Sequence, residues 1–329
     1  MRAVLQKSFG GVEQLFIGEA PKPVLKAGEI LMAVKATAVN RADTLQRQGR
    51  YPVPKGESEI LGLEAAGVVV DKADDVTTFN VNDRVMALLQ GGGYAEFAAV
   101  PHTTVMPIPN GWDYVKAACV PEVWLTAFQH LHVIANLGEG DSVLVHAGAS
   151  GVGTAAIQLA RLGGASSVIA TVSKEEKLDL CKRMGATGLI NYKACEGRFS
   201  DQVMQMTDNR GCDIILDCIG ASYFDENAKA CARDARWVLY GLMGGPKVPE
   251  ANLATLLAKR VQLTATTLRS RDLAYRSRLV ARFRNEILPH LSSEALQVVH
   301  DSTLPLEHVQ EAHMRMESNL NAGKIVLTL

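Results

Sequence analysis

The residues with the clearest chemical purpose form one short run, from Ser142 to Gly153. An apolar stretch there leads into glycines at 148, 151 and 153, and an apolar-periodic segment follows. Glycines let a chain turn sharply and approach a pyrophosphate, which the first N–H groups of the following helix and its positive dipole end then bind. The G-x-x-G-x-G spacing departs from the usual G-x-G-x-x-G, so the run alone could be only a tight connection. Because strands and helices alternate after it, we predict a dinucleotide site with Ser150, Gly151 and Val152 among its contacts.

The choice of nicotinamide cofactor depends on the end of the next predicted strand. An NAD site places an acid about 20 residues after the glycine turn, where it holds the ribose hydroxyls. Here Ser173 stands at that strand end and Lys177 follows one turn later. A small hydroxyl leaves room for a 2′-phosphate and a lysine can pair with it, while Glu175 and Glu176 suit a helix start. With Tyr192 as a further hydrogen-bond donor the pattern favours NADPH, although Lys177 alone could be an ordinary exposed helix lysine.

Further cofactor contacts are expected at the ends of the later strands. In a doubly wound sheet the ligand lies beyond the carboxyl ends of the strands. Those ends carry Ile219, Gly220, Tyr240, Gly241, Leu242, Met243, Leu268 and Ser270. His146 ends a buried strand and is interpreted as structural or as a partner of a site residue, and His130 and His132 as residues on a helix face.

Two kinds of element must position these residues. Apolar segments over 30–38, 65–70, 84–89 and 94–100, divided by Gly, Pro, Asn and Asp, predict a compact, barrel-like, mostly antiparallel domain. Residues 41–49 could be a short helix or a loop. After residue 109, helical spacing over 114–134 leads into alternating strands and helices up to residue 240, which predicts a parallel sheet. A helix over 306–318 and a strand over 324–329 end the chain.

Bulk properties limit the classes of partner. The 329 residues favour two domains, and a net charge of -1 gives no field that would attract nucleic acid or an anionic membrane. No apolar run reaches the roughly 20 residues that span a bilayer. Six cysteines without a CxxC pair indicate reduced thiols and a cytoplasmic protein. The arginines between 269 and 284 are interpreted as a solvated helix face.

Several stretches beside the glycine turn carry a family resemblance: Asn40-Arg41-Ala42-Asp43, Ile60-Leu61-Gly62-Leu63-Glu64-Ala65-Ala66-Gly67, Pro121-Glu122-Val123-Trp124-Leu125-Thr126-Ala127-Phe128, and Leu239-Tyr240-Gly241-Leu242-Met243-Gly244-Gly245. They resemble the medium-chain dehydrogenase/reductase superfamily, in its zinc-free quinone oxidoreductase branch. The resemblance implies a GroES-like catalytic domain made from residues 1–118 and 267–329, which encloses a Rossmann cofactor domain over 119–266. It also implies a homodimer joined through the edges of the cofactor sheets.

The zinc-binding positions of that superfamily are replaced in this sequence. Zinc enzymes of the family carry a cysteine where Asn40 stands and a histidine where Leu63 stands. An aliphatic side chain cannot bind a metal, and an amide is a poor zinc ligand. The structural zinc lobe needs four closely spaced cysteines, whereas the first cysteine here is Cys119. The sequence therefore predicts a metal-free protein in which Glu64 is structural.

The resemblance also implies roles for individual residues. Asn40, Tyr51 and Thr126 are expected to line the cleft for the nicotinamide and the acceptor, with Asn40 donating a hydrogen bond and Thr126 contacting the ribose. Tyr51 would stack on a ring, donate to a developing oxyanion, or do both. Ser150 would bind the phosphates or approach the acceptor, and Lys324 would reach the cofactor. The alternatives are a turn residue at Asn40, a rim aromatic at Tyr51 and an ordinary helix residue at Thr126.

Three functions are compatible with this pattern. The first is an NADPH-dependent reductase of small quinones, which need positioning more than activation because hydride addition yields an aromatic hydroquinone anion. The second is an NADPH-dependent reductase of α,β-unsaturated aldehydes or ketones. The third is a non-catalytic protein that keeps the cofactor fold. The sequence favours the first and does not specify the physiological acceptor.

Overall fold

The computed structural model describes residues 1–329, which form two compact units. The first consists of Met1–Leu125 and Arg269–Leu329, and the second of Thr126–Leu268. The division therefore falls at residues 125 and 268, compared with 118 and 266 in the sequence analysis. No helix has the length and apolar character needed to cross a bilayer.

Fifteen strands occur along the chain. They are β1 (Arg2–Gln6), β2 (Leu15–Glu19), β3 (Glu29–Val39), β4 (Glu64–Lys72), β5 (Arg84–Leu88), β6 (Phe97–Pro101), β7 (Val105–Pro107), β8 (Ser142–Val145), β9 (Ser167–Val172), β10 (Gly188–Asn191), β11 (Cys212–Asp217), β12 (Cys231–Leu239), β13 (Gln262–Ala265), β14 (His300–Pro305) and β15 (Lys324–Thr328).

Eleven α-helices connect them. They are α1 (Arg41–Arg47), α2 (Tyr114–Ala118), α3 (Pro121–Phe128), α4 (Gly151–Leu162), α5 (Leu178–Arg183), α6 (Ser200–Met206), α7 (Phe224–Ala230), α8 (Leu253–Lys259), α9 (Leu273–Glu286), α10 (Leu288–Ser292) and α11 (Val309–Glu317). A π-helix, Gln129–Ile134, continues α3 directly. The helical spacing over 114–134 therefore corresponds to three segments, and Pro121, which lacks an N–H, begins the second of them.

The second unit is built on a six-stranded parallel sheet with the order β10-β9-β8-β11-β12-β13. The chain moves outward from β8 to β10, then crosses back and moves outward again from β11 to β13. This is the doubly wound order, whose switch point lies between β8 and β11. Both strands are almost fully buried and their apolar residues join one core around Trp237. The predicted parallel sheet is confirmed.

The first unit is built on a mostly antiparallel sheet with the order β14-β15-β3-β4-β5-β7, and β6 pairs with β3. Only β14 and β15 run parallel. β3, whose side chains are buried on both faces, joins the N-terminal strands to β15, so the last segment of the chain completes this sheet. The predicted antiparallel character is confirmed, and residues 41–47 form a helix.

One sequence interpretation is wrong. Two arginines of the cluster between 269 and 284, Arg269 and Arg276, are each only 6% exposed and do not lie on a solvated face. Their N–H groups bind backbone and amide oxygens within the first unit, which makes their burial possible. Periodicity alone did not reveal these acceptors.

Candidate functional site

In the second unit the turn after β8 leaves backbone N–H groups available at the start of α4. Ser150 caps this helix, with its Oγ accepting from the N–H of Gly153 at 3.0 Å. The N–H of Thr154 donates to the carbonyl of Ser150 at 2.9 Å. The N–H groups of Gly151 and Val152 have no acceptor within the chain. Two free donors at the positive end of a twelve-residue helix form an anion site.

The glycines of this turn are required for space. A Cβ at Gly153 would lie 2.4 Å from the carbonyl oxygen of Ala147 and 2.6 Å from that of Gly148. A Cβ at Gly148 would lie 2.8 Å from Cβ of Ala170 on the neighbouring strand β9. Any side chain would push the helix away from the strand end, so the turn meets the close-packing requirement of a pyrophosphate cradle.

The neighbouring strand end carries the groups expected at a 2′-phosphate. Asn191 of β10 is paired with Val172 of β9, so Ser173 and Tyr192, which follow them, lie opposite each other. Lys177 ends the 3-10 turn Glu175–Lys177 and is half-buried. The adjacent acids are engaged elsewhere: Glu176 pairs with Lys174 at 3.6 Å, and Glu175 accepts from Asn191 at 3.3 Å.

Backbone hydrogen bonds connect the loop after β11 to the loop after β12. The N–H of Gly244 donates to the carbonyl of Ile219 at 2.7 Å, and that of Met243 to Cys218 at 3.1 Å. Gly220 adopts φ +81°, a left-handed conformation that favours glycine. Two predicted contact segments, 219–220 and 240–243, are therefore adjacent at the carboxyl edge of the sheet.

A buried network of uncharged and carboxylate groups supports this edge. His146 lies between the Oγ1 of Thr171, 3.0 Å from Nδ1, and the Oδ1 of Asn227, 2.7 Å from Nε2. Because Asn227 Oδ1 can only accept, Nε2 of His146 carries the proton. Burial lowers the pKa of His146, which keeps the ring neutral. Asn227 donates in turn to Asp217 at 3.1 Å, as does the indole N–H of Trp237. We call this set the neutral network, because its members other than the Asp217 carboxylate carry no charge.

Asp217 connects the neutral network to the cofactor loop. Its Oδ1 accepts from the N–H groups of Ile219 at 2.7 Å and Gly220 at 3.0 Å. The carboxylate is fully buried and receives four hydrogen bonds in all. Asp217 therefore holds the loop after β11 in place through its two backbone hydrogen bonds. The supporting role of His146 was predicted from the sequence, whereas the roles of Asp217 and Asn227 were not; an acid at the end of an apolar strand was the available signal.

The π-helix places His130 against a predicted contact residue. The rings of His130 and Tyr240 are 4.3 Å apart, and His130 is 1% exposed with Nδ1 unpaired. Burial lowers its pKa to about 3, so the ring is neutral. Thr126, one turn earlier, is also buried. His130 was interpreted as a residue on a helix face; it lies in the π-helix Gln129–Ile134, and the face it occupies is buried against Tyr240.

In the first unit Asn40, Glu64 and Lys324 form a fully buried cluster. Nζ of Lys324 lies 2.7 Å from Oε1 of Glu64 and donates to Oδ1 of Asn40 at 2.6 Å and to the carbonyl of Val39 at 3.1 Å. Nδ2 of Asn40 donates to Glu64 at 2.8 Å and to the carbonyl of Ala38 at 3.2 Å. Both amide hydrogens of Asn40 and all three ammonium hydrogens are thus engaged. In this arrangement Asn40 can only accept a further hydrogen bond.

A second chain of contacts runs from Asp43 to α11. Oδ2 of Asp43 accepts from the N–H of Asn40 at 2.8 Å and from the hydroxyl of Tyr94 at 3.2 Å, and Oδ1 accepts from Gly62 at 3.0 Å. Tyr94 lies 3.3 Å from Nε2 of His313, whose Nδ1 is 3.2 Å from Arg47. Burial raises the pKa of Asp43 to about 6 despite these bonds. Together with Asn40, Glu64 and Lys324 these residues form what we call the charged network.

Tyr51 lies in the loop after α1, with its ring packed against Arg269. The guanidinium carbon is 5.5 Å from the ring centroid. The ring is half-buried, and its hydroxyl has no hydrogen-bond partner within this unit. A phenol without a partner is available to donate to a ligand. Ser270 follows Arg269 in the same unit, and Leu268 ends the other.

The residues at the family's metal position do not fit zinc. Oδ1 of Asn40 accepts a hydrogen bond from the Lys324 ammonium, a cation that would repel a metal ion. The side chain of Leu63 offers no donor atom to a metal. Nowhere in the chain do three or more His, Cys, Asp or Glu side chains converge as metal ligands. Glu64, which also accepts from the N–H of Glu122 at 2.9 Å, is engaged inside the protein.

The structure thus brings the predicted residues together in two groups. Within the second unit, those at the carboxyl edge are Ser150, Gly151, Val152, Ser173, Lys177, Tyr192, Ile219, Gly220, Tyr240, Gly241, Leu242 and Met243. Within the first unit, Asn40 and Lys324 are in contact, while Tyr51 belongs to a separate cluster with Arg269. That cluster is not predictable from local sequence patterns, because its members are far apart in the chain.

Comparison with known families matches both units. The family model "Alcohol dehydrogenase GroES-like domain" matches residues 26–110, and "Zinc-binding dehydrogenase" matches residues 151–283. Among curated relatives, the synaptic vesicle membrane protein VAT-1 homolog of Danio rerio is 30% identical over 99% of this chain and 70% of that protein. A phenolphthiocerol synthesis polyketide synthase of Mycobacterium bovis is 33% identical over 97% of this chain. The chain spans only 15% of the length of that synthase.

Solved structures give the same fold. A mycobacterial protein in complex with NADPH has a TM-score of 0.90 and 31% identity, with both chains covered completely. The quinone oxidoreductase of Escherichia coli in complex with NADPH has a TM-score of 0.89 and 25% identity, again with complete coverage of both chains. The parallel sheet of the second unit, the mostly antiparallel sheet of the first and these matches together show that the chain belongs to the medium-chain dehydrogenase/reductase superfamily of oxidoreductases.

Proposed function

We propose that this protein is an NADPH-dependent, zinc-independent reductase of small quinones. The observation that carries the proposal is the carboxyl edge of the parallel sheet, where the free N–H groups of Gly151 and Val152 neighbour a strand end with Ser173 and no acid. That arrangement accepts a pyrophosphate at the helix and leaves room for a 2′-phosphate. Two similar solved proteins, one of them a quinone oxidoreductase, were obtained with NADPH.

NADPH, when bound, supplies the hydride, and the chain's own residues hold and orient it. Ser150, Gly151 and Val152 would bind the pyrophosphate, and Ser173, Lys177 and Tyr192 the 2′-phosphate. Thr126 would contact the nicotinamide ribose. The other proposed contacts, which lie along the strand ends, are Ile219, Gly220, Tyr240, Gly241, Leu242, Met243, Leu268 and Ser270.

On the acceptor side, Tyr51 is the proposed donor. Its unpartnered hydroxyl would donate a hydrogen bond to the acceptor oxygen that gains charge as hydride arrives. Asn40 would act as an acceptor at Oδ1, because both of its N–H groups are engaged. Lys324 would support Asn40 and would not contact the cofactor, since its three hydrogens are already used. The Lys324 ammonium beside Glu64 also supports zinc independence.

A second candidate is the reduction of α,β-unsaturated aldehydes or ketones. A highly-reducing polyketide synthase of Aureobasidium melanogenum is 29% identical over 95% of this chain, although the chain spans 14% of that protein. Hydride addition to a conjugated enone also places negative charge on an oxygen, so the same Tyr51 donor would serve it.

Stopped-flow oxidation of NADPH, with NADH as the control, would distinguish these functions. The panel would contain ortho- and para-quinones, enals and enones, each with and without a chelator. Rapid NADPH-dependent turnover of quinones, with little response to enals or chelator, is expected. Turnover of enals alone would favour the second candidate. Tight NADPH binding without any turnover would indicate the non-catalytic role.

Three further parts of the proposal concern branch, assembly and location. Within the family we infer a specific resemblance to the tumour-suppressor-inducible quinone oxidoreductase, from the stretches at 40–43, 60–67, 121–128 and 239–245 and from the glycine turn. A homodimer would cover β13, which pairs only with β12 and whose four residues are all exposed. Light scattering of Leu263→Lys, a change on that edge, would test the dimer.

A cytoplasmic location stays a prediction that rests on six unpaired cysteines.

A further inference from the structure

We propose that Arg269 is a positioning residue for Tyr51: its buried guanidinium, packed on the phenol ring, fixes Tyr51 and strengthens its O–H as a donor to the acceptor oxygen. This inference rests on the proposed function, because it assumes that Tyr51 faces the acceptor. It adds to that function a residue that acts without touching the substrate.

The positive charge of Arg269 is buried but is not neutralised by an adjacent acid. Its Nε and Nη2 donate to the carbonyl of Gln90 at 3.0 and 2.5 Å, and Nη1 donates to the side-chain oxygen of Gln46 at 2.7 Å. The three hydrogen bonds end on two acceptors, and both are neutral oxygens. Buried arginines are usually paired with carboxylates, so this one retains a charge that can act on its other neighbour, the ring of Tyr51.

Arg269 is held by hydrogen bonds at both its guanidinium group and its backbone carbonyl. Gln90, which is buried, accepts from the guanidinium through its carbonyl. Its side-chain amide satisfies its neighbours when its nitrogen is assigned toward the carbonyl of Arg269, to which it then donates at 2.7 Å. The oxygen of the same amide accepts from Nη1 of Arg276 at 2.8 Å. A guanidinium held at three points presents a fixed plane to the aromatic ring.

The geometry toward Tyr51 is that of a cation over an aromatic ring. The distance of 5.5 Å from the guanidinium carbon to the ring centroid lies within the attractive range of about 6 Å. Tyr51 precedes Pro52, which restricts its backbone to extended conformations. The backbone and the stacked cation together limit where the free hydroxyl points.

The charges around Tyr51 make Arg269 distinctive. Burial raises the pKa of the Tyr51 phenol, Glu122 and Asp43 raise it further, and Arg269 opposes them. Asp43, Tyr51 and Glu57 are the groups that act on Arg269 in return. A phenol stabilises an oxyanion better as its pKa falls toward that of the oxyanion's conjugate acid. Removal of Arg269 therefore weakens the donor even when Tyr51 stays in place.

A double-mutant cycle tests the coupling. Arg269→Gln, Tyr51→Phe and the double variant would be compared with the wild-type protein for kcat and KM on the best quinone. We expect Arg269→Gln to lower kcat about tenfold when Tyr51 is present and less than about twofold in the Tyr51→Phe background. Arg269→Lys, which keeps the charge, should lose less than Arg269→Gln. Equal losses in both backgrounds would overturn the proposal.

A titration without nucleotide gives a readout that is independent of turnover. The phenol absorbance of wild-type protein minus that of Tyr51→Phe isolates Tyr51, and the same difference is recorded in the Arg269→Gln background. The pKa of Tyr51 should rise when Arg269 is replaced, and an unchanged pKa would contradict the proposal. If the wild-type protein reduces no quinone, the proposed function fails while this titration still decides the coupling. If Arg269→Gln does not fold, Gln46→Ala, which removes only one guanidinium acceptor, is used in the same two tests.

Discussion

The two units support their functional residues with different kinds of buried polar network. In the second unit the neutral network joins Thr171, His146, Asn227, Trp237 and Asp217, and it contains one carboxylate that receives four hydrogen bonds. In the first unit the charged network contains two carboxylates, an ammonium and a guanidinium. The carboxyl edge of the parallel sheet is thus held mainly by hydrogen bonds, whereas the network of the first unit adds the buried ion pair of Lys324 and Glu64.

The sequence separations of these contacts differ as well. His146 and Thr171 are 25 residues apart, and Asn227 and Asp217 only 10. Lys324 and Asn40 are 284 residues apart, and Arg47 and His313 are 266 apart. The neutral network therefore belongs to a continuous piece of chain, whereas the charged network joins the two ends of the chain across β3 and β15. A buried charge leaves its partner uncompensated when it is removed, so the two networks should respond differently to mutation.

The largest expected effect comes from Lys324→Met. This change leaves the fully buried carboxylate of Glu64 with no cation, and we expect the free energy of unfolding to fall by about 3–5 kcal/mol. Urea unfolding measures it. The double variant Lys324→Met with Glu64→Gln should recover part of the loss, because the uncompensated charge is then gone. The matched surface change Lys116→Ala, which breaks the exposed pair with Glu294, should alter stability by less than about 1 kcal/mol. A similar loss for both lysine changes would contradict the comparison.

The second effect is a loss of stability with rising pH, which Asp43 of the charged network contributes. Burial raises the pKa of Asp43 from 3.8 to about 6, so between these values the folded protein binds a proton that the unfolded chain lacks. The contribution of Asp43 to the free energy of unfolding therefore falls as pH rises from about 4 to about 6, by about 3 kcal/mol in all.

This dependence is measured as a difference between proteins. Asp213 and Asp301, whose pKa values are lowered, contribute the opposite slope to any unfolding experiment. Unfolding of the wild-type protein and of Asp43→Asn would be compared at pH 4, 5, 6 and 7. The contributions of the other acids to the free energy of unfolding are common to both proteins and cancel in the difference. The stability of the wild-type protein relative to the variant should fall over that range. A difference that is constant with pH would show that Asp43 titrates normally.

The sequence predicted most of the cofactor half. The helix predicted after the glycine turn is α4 and the next predicted strand is β9, because each element is bounded by glycines or polar residues and is periodic within itself. The glycine turn and the Ser173 position follow from local order along the chain. A parallel sheet brings consecutive strand ends to one edge, so local motifs were sufficient to assemble the site.

The charged half was predicted only in outline. The antiparallel strands were found, but α9, α10 and β14 were not, and Arg269 was assigned to a solvated face. Contacts such as Lys324 to Asn40 depend on which strands pair, and no periodicity encodes that choice. Family resemblance named Asn40 and Tyr51 but not the residues that hold them. Arg269 and Glu64 acquire their roles only from the tertiary fold.

The third effect tests whether the neutral network supports the cofactor loop. Asp217→Asn removes one acceptor oxygen and turns an N–H₂ group toward two donors, so two of four hydrogen bonds are lost. We expect the free energy of unfolding to fall by about 2–3 kcal/mol and NADPH binding to weaken, because Ile219 and Gly220 lose their fixed position. Urea unfolding and nucleotide fluorescence measure the two. Asp201→Asn, an exposed change on α6, should alter stability by less than about 0.5 kcal/mol. Unchanged NADPH affinity in Asp217→Asn would show that the loop does not depend on this carboxylate.

The smallest effect concerns charge at the cofactor edge itself. Lys177→Gln should weaken NADPH binding about tenfold and leave NADH binding unchanged, because a half-exposed lysine contributes a modest charge-assisted bond to the 2′-phosphate. Lys174→Gln is the matched control, since Lys174 pairs with Glu176 and lies only three residues away. Nucleotide fluorescence titrations of both variants with both cofactors measure the effect. If the two variants lose NADPH affinity equally, the preference for NADPH over NADH arises from the summed positive charge near the strand ends and not from one lysine. If only Lys177→Gln loses NADPH affinity, the second unit also uses one specific charge contact. That contact would lie at the protein surface, whereas the charges of the first unit's network are buried.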